Sequence, residues 1–108
     1  MNPTETSSSA IRASLFTKED CLPCAQTKQY IFDNFYQDEL DWPLLDALTI
    51  FRKEDHSALV AAFELSMYPT LIIHQDGVEL ERIVGGKNIR GNLRYYLDFI
   101  ANRNYNNQ

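Results

Sequence analysis

The apolar segments of this chain alternate between two periods, and that alternation leaves few folds open. Residues 11–17 are a short apolar run suited to a strand. Residues 24–35 permit a helix: Ile31 and Phe35 lie one turn apart, as do Lys28 and Phe32, so one face can pack inward. Residues 36–41 are acidic and looplike. Residues 42–49 (WPLLDALT) read as a second strand, with Pro43 near its start, where a missing N–H does least harm. A charged turn follows at 52–56. Residues 57–65 are Ala-rich, with Leu59, Val60 and Phe63 spaced for one helical face. Residues 70–74 (TLIIH) read as a buried strand, and Gln75-Asp76-Gly77 as a hairpin turn into a strand at 78–84. The alternation within 78–84 is imperfect and leaves its buried face open. After Gly85-Gly86, the residues Ile89, Leu93, Tyr96, Leu97 and Ile100 form the stripe of an amphipathic helix, N-capped by Asn88 and ending near residue 102. The order is β-α-β-α-β-β-α, an α/β fold. Its first half is a βαβ unit, which requires parallel strands, and its second half is a hairpin closed by a helix.

The ends and the composition narrow the function. Residues 1–10 are polar, with three consecutive Ser, and read as a disordered arm. Residues 104–108 carry three Asn and one Gln and read as a frayed tail, so the folded domain is expected over 11–103. Ten Lys and Arg against fifteen Asp and Glu give a formal net charge of −5, which argues against nucleic acid or an anionic membrane as partner. No run of apolar residues is long enough to span a bilayer. The first ten residues lack the basic-then-apolar order of a secretory signal, and a cytoplasmic monomer is expected.

Both cysteines sit in one tetrapeptide, Cys21-Leu22-Pro23-Cys24, between the first strand and the first helix. A sulfur at a helix N-terminus meets unpaired N–H groups and the positive dipole end, which favour thiolate over thiol. The asymmetry assigns roles. Cys21, at the start, attacks a substrate disulfide; Cys24, one turn deeper, attacks the mixed disulfide and releases reduced product. Pro23 suits the first helical turn. The competing readings are half of a zinc site and a structural thiol pair. Zinc needs two more ligands. His56 and His74 remain, in a polar turn and at a strand end, and neither has second-pair spacing. No metal and no bound cofactor are expected.

A second motif is Met67-Tyr68-Pro69-Thr70, directly before the TLIIH strand. Pro69 reads as an ordinary edge proline. A cis peptide is the alternative. It would expose the Tyr68 backbone beside the cysteines, where an extended substrate could pair with it.

These residues together resemble the thioredoxin fold: FTKEDCLPC at 16–24, YPTLIIHQDG at 68–77, and Val84-Gly85 before the last helix. The resemblance covers residues 11–101 and implies a central four-stranded mixed sheet flanked by helices. Two branches compete. Leu15-Phe16-Thr17-Lys18 resembles glutaredoxins, in which a Lys at this place helps hold the glutathione carboxylate. Pro23 before Cys24, the Pro69-Thr70 strand, Asp76-Gly77, and Val84-Gly85 followed by Arg90-Gly91 and Leu93 resemble thioredoxins. Glutaredoxins place acidic residues after Gly-Gly, whereas Lys87 and Asn88 stand here.

The resemblance implies a minimal stand-alone thiol–disulfide oxidoreductase that reduces protein disulfides through Cys21 and Cys24. Lys18, Leu22, Pro23, Tyr68, Pro69, Gly85 and Gly86 would be its substrate-binding residues. Electrons would come from an upstream reductase or from glutathione, and ribonucleotide reductase is one implied recipient. Two alternatives are a glutathione-dependent glutaredoxin and, in another class, a non-catalytic binding or assembly subunit. Two departures matter. Asp20 stands where thioredoxins usually have Trp. Leu15 stands where they bury an Asp that takes the proton of the second cysteine, so Cys24 would need water or another group, with Asp46 on the adjacent strand as a candidate. Glu19 and Asp20 oppose thiolate formation at Cys21 and Lys18 favours it. Leu22, Tyr68 and Trp42 could form an apolar rim around the thiol, although Trp42 reads more readily as core.

Overall fold

A computed structural model describes residues 10–106. Four strands form one sheet: β1 (Ile11–Thr17), β2 (Leu48–Arg52), β3 (Thr70–Gln75) and β4 (Val78–Val84), in the order β2-β1-β3-β4. β1 runs parallel to β2, with Ala13 beside Leu48 and Thr17 beside Arg52. β3 is antiparallel to β1 and β4 to β3, so the sheet is mixed. Four α-helices flank it: α1 (Leu22–Ile31), α2 (Trp42–Leu45), α3 (Ser57–Ala62) and α4 (Gly86–Asn106). The expected β-α-β-α-β-β-α order stands, with extra helical turns between α1 and β2. It has the thioredoxin fold.

The pleat divides the core. Ala13, Leu15, Leu71 and Ile73 point to one face, where they meet Ile31 and Phe35 and the stripe Ile89, Leu93, Leu97 and Ile100 of α4. Burying each Leu or Ile of that stripe contributes about 1.5–3 kcal/mol. On the other face Phe16 and Ile72 pack against Leu65, Phe63 and α3. The first four residues of β3 are buried on both faces because both faces are covered.

Several boundaries differ from the sequence expectation. The expected strand at 42–49 is not one over 42–47. Residues 42–45 form the helical turn α2, with Pro43 in its first turn, and the strand begins only at Leu48. Proline without an N–H fits a helix start, where that donor has no partner anyway. Asp46 therefore caps α2 and is exposed, lining a surface groove with Arg12 and Asn104 rather than facing Cys24. After α1 the chain widens into a π-helical turn, Phe32–Tyr36, which buries Phe35 and leaves Phe32 and Tyr36 stacked in solvent. Asn88 does not cap α4. The helix starts at Gly86, and the Asn88 side chain donates to the Val84 carbonyl at 3.0 Å.

The tail also departs from expectation. α4 continues to Asn106, and the Asn104 side chain brackets Ile11: its Oδ1 accepts from the Ile11 N–H at 2.8 Å, and its Nδ2 donates to the Ile11 carbonyl at 3.0 Å. Residues 1–9 of the expected arm and the last two residues of the chain lie outside the described residues. The hairpin turn is as expected. Asp76 and Gly77 both have positive φ, +53° and +79°, the pairing of a type I′ turn. The uneven alternation of β4 has a cause. A bulge at Ile73/His74 shifts the register, so Ile73 faces Glu81 while His74 faces Glu79.

Candidate active site

Cys21 is the N-cap of α1. Its extended backbone, φ −124° and ψ 102°, ends the loop from β1, and its carbonyl accepts the first helical bond from Ala25 N–H at 3.0 Å. Its Sγ accepts the Cys24 backbone N–H at 3.2 Å, filling the role usually taken by a Ser or Asp oxygen. Asp20, just before it, adopts φ +53°, a left-handed conformation that Asp tolerates better than most residues. That kink turns the chain from β1 into α1.

Cys21 and Cys24 are joined by a disulfide, with their Cα atoms 5.2 Å apart. Cys21 is half-buried, whereas Cys24 is 1% exposed. One sulfur is accessible and its partner lies behind it. Among the described residues no group of His, Cys, Asp and Glu is arranged to hold a metal ion.

The Tyr68–Pro69 peptide is cis, against the expectation of an ordinary edge proline. Sequence favours trans, and only the surrounding loop selects the minor isomer. The Tyr68 carbonyl oxygen lies 3.9 Å from Cys21 Sγ, so this loop does border the cysteines. The Pro69 carbonyl accepts the Gly85 N–H at 3.0 Å, which ties the loop to the end of β4. Gly85 has φ +93°, a conformation suited to glycine. Thr70 Oγ1 donates to the Met67 carbonyl at 2.6 Å and closes the same loop. The Tyr68 hydroxyl is buried with no hydrogen-bond partner among the described residues. Burial first, and then the Glu54 charge, push the phenol above its ordinary pKa.

Charged groups rim the site. Lys18, Glu19, Asp20 and Lys28 line an open groove with Cys21, Leu22, Cys24 and Ala25. The Glu19 N–H donates to Glu54 Oε2 at 3.0 Å. That bond and the Glu54 N–H, followed by the Arg52 and Lys53 charges, hold the Glu54 carboxyl below the usual range. Arg52 lies within ion-pair distance of Glu19, Glu54 and Asp55, which lashes the end of β2 to the loop before Cys21.

The structure thus gathers Lys18, Leu22, Pro23, Tyr68, Pro69, Gly85 and Gly86 around the cysteine turn. Trp42 is excluded. It is 50% exposed rather than core, and its indole N–H donates to the Tyr36 carbonyl. Tyr36 lies fourteen residues along the helical run from Leu22, about 20 Å at 1.5 Å per residue. The apolar side chain on this rim is Leu22, 68% exposed, and Met67, 61% exposed, precedes Tyr68 in the neighbouring loop. Sequence reasoning passed over Lys28 and Glu54, and it met Met67 and Arg90 only as parts of motifs, with no role at the site. Lys28 was readable, since it lies one helical turn beyond Cys24. Glu54 carries no local signal, and the Arg90-Gly91 pair, which resembles thioredoxins, does not reveal what Arg90 touches, because these contacts span dozens of residues.

No protein-family model matches the chain, and no curated protein sequence matches it. Solved structures do. A thioredoxin of Malassezia sympodialis superposes with a TM-score of 0.65 at 13% identity, over 92% of this chain and 84% of that one. Oxidised thioredoxin of Plasmodium falciparum gives 0.61 at 13%, over 94% and 93%. Trxlp of Edwardsiella tarda gives 0.60 at 20%, over 90% and 93%.

Proposed function

We propose that the protein is a thiol–disulfide oxidoreductase that reduces protein disulfides through Cys21 and Cys24. One observation carries the reading: an accessible sulfur that caps a helix N-terminus, disulfide-bonded to a buried sulfur one turn behind it. In the reduced protein the Cys24 N–H and the helix end favour Cys21 as thiolate. The Cys21 thiolate attacks one sulfur of a substrate disulfide, forms a mixed disulfide and expels the other sulfur as thiolate. Cys24, losing its proton, attacks Cys21 Sγ; the Cys21–Cys24 disulfide forms and the second substrate sulfur leaves. Two electrons pass to the substrate, and an external thiol or dithiol reductant returns them.

The Tyr68 carbonyl beside Cys21 offers backbone pairing to an extended substrate segment, and Leu22 and Met67 offer apolar contact. These features favour protein disulfides, with an enzyme such as ribonucleotide reductase as one candidate recipient in a reducing, cytoplasmic setting. Among the described residues, no helix is long and apolar enough to cross a membrane. Leu15 is buried in the main core, so it supplies no proton acceptor to Cys24. The glutaredoxin reading keeps one supporting observation, the two lysines Lys18 and Lys28 along the groove, which suit an anionic peptide such as glutathione.

The test is insulin reduction with thioredoxin reductase as electron source in one arm and glutathione in the other. Wild type should work with the reductase, Cys21→Ser should lose the activity, and Cys24→Ser should accumulate the mixed disulfide. Activity with glutathione alone would select the glutaredoxin reading. A Cys21→Ser variant that performs the biological role as well as wild type would instead support a binding or assembly subunit.

A further inference from the structure

We propose that Arg90 is a positioning residue for the cysteine pair: its guanidinium, admitted beneath the first turn of α1 by the bare backbone of Gly86, favours the thiolate form of reduced Cys21–Cys24 and raises the pair's reduction potential. This rests on the redox reading above.

The buried stripe of α1 is Cys24, Thr27 and Ile31, so Thr27 follows Cys24 on the same helix face. Thr27 is fully buried, and its hydroxyl donates to the Pro23 carbonyl at 2.8 Å. Arg90 Nη1 donates to that hydroxyl at 3.3 Å. The chain Arg90 to Thr27 to Pro23 ends on the peptide that carries the Cys24 nitrogen, and such chains polarise along their length. Gly86 makes the slot. A Cβ there would lie 2.8 Å from Arg90 Nη1, 3.0 Å from Thr27 Oγ1 and 3.1 Å from the Pro23 carbonyl oxygen.

The charge of Arg90 is not spent elsewhere. Arg52, Arg82 and Arg94 each pair with carboxylates, whereas Arg90 pairs with none among the described residues. The other charged groups near the cysteines lie on the open side: Lys18, Glu19 and Asp20 before α1, Lys28 on it, Glu54 through Glu19, and Lys53 over the Tyr68 ring, while Lys87 at the start of α4 is exposed. Those groups are of mixed sign and solvated, so water screens them more than a guanidinium wedged between two helices. Arg90 is itself only half-buried, which keeps its effect moderate.

A cation acts on the thiolate and not on the neutral thiol. Above the first thiol pKa, the disulfide takes up two electrons and one proton to give thiolate plus thiol, and Arg90 stabilises that product. Below it, two protons enter, the product is neutral, and Arg90 contributes nothing. Arg90→Gln and Arg90→Lys should be compared with wild type by thiolate ultraviolet absorbance and by equilibration in glutathione redox buffers across pH. Arg90→Gln should raise the first thiol pKa and lower the equilibrium constant for reduction by roughly three- to tenfold, about 14 to 30 mV, only above the wild-type thiol pKa. Arg90→Lys should retain most of the wild-type behaviour. An Arg90→Gln potential equal to wild type at every pH, or shifted equally at every pH, overturns the proposal. Arg90→Met keeps the apolar stem and must show the same pH-limited shift should Arg90→Gln not fold. A wild-type protein that forms no Cys21–Cys24 disulfide in these buffers would sink the redox reading itself, a result distinct from an active wild type with an indifferent Arg90 variant.

Discussion

A sulfur that caps a helix competes for a place usually held by a small polar oxygen, and the chemistry of Cys21 follows from winning it. Its neighbours set the terms. Gly86 is the residue whose identity can be tested most directly. Adding a methyl group there crowds Thr27 and the Pro23 carbonyl and pushes against Arg90. Gly86→Ala should destabilise the protein by about 1–3 kcal/mol and slow disulfide exchange, because the first turn of α1 must move. Urea denaturation and an insulin-reduction rate check both effects; unchanged values would show that the slot yields freely. At this scale the sequence was informative about Cys21, Leu22, Pro23 and Cys24, whose spacing alone suggests an attacking and a resolving sulfur. It was silent about Gly86 as a slot, because Thr27 and Pro23 approach it from about sixty residues away in the chain.

At the scale of elements, α4 binds the sheet by its apolar stripe and by one polar clamp at its far end. Asn104 satisfies both backbone groups of Ile11, the first residue of β1. Asn104→Ala leaves that donor and acceptor unpaired and should cost about 1–3 kcal/mol. Hydrogen exchange at the Ile11 amide should accelerate more than exchange at Leu15, deep in the same strand; equal acceleration would mean a global rather than a local loss. The stripe was legible because its period is intrinsic to the helix. The clamp was not, since a run of Asn near a terminus reads as polar tail until a strand end is placed beside it. Likewise Pro43 fits either a strand start or a first helical turn, and only the packing of Leu44 and Leu45 against the main core selects the helix.

Across the whole molecule, stability should depend on pH through His74. It shares a 2.8 Å hydrogen bond with Ser14 and packs its ring 5.6 Å from that of Phe63. Burial first, and then the Arg12 charge directly across the strand pair, hold its pKa below the ordinary value. Glu79 opposite it on β4 is taken up by Arg82. The folded protein therefore takes up a proton at His74 at lower pH than the unfolded chain, which titrates near 6.5. As pH falls from above that value, the unfolded state binds the proton first, so stability falls and reaches its full loss below the folded pKa. Urea midpoints at pH above 7 and near 5 should differ for wild type, and His74→Gln should reduce the difference. An unchanged difference in that variant would assign the effect to other groups.

Sequence alone determined what is periodic or contiguous: the α4 stripe, the Asp76-Gly77 turn, the order of strands and helices along the chain and a cysteine pair at a strand-to-helix junction. These follow from local sterics and from spacings of two or 3.6 residues, which a chain carries wherever it lies. Tertiary structure decided the cis Tyr68–Pro69 peptide, the exposure of Trp42, the bracket of Asn104 on Ile11 and the approach of Arg90 to the cysteine turn. Each of these is an energy between groups distant along the chain, and it comes into being only once the fold has brought them together.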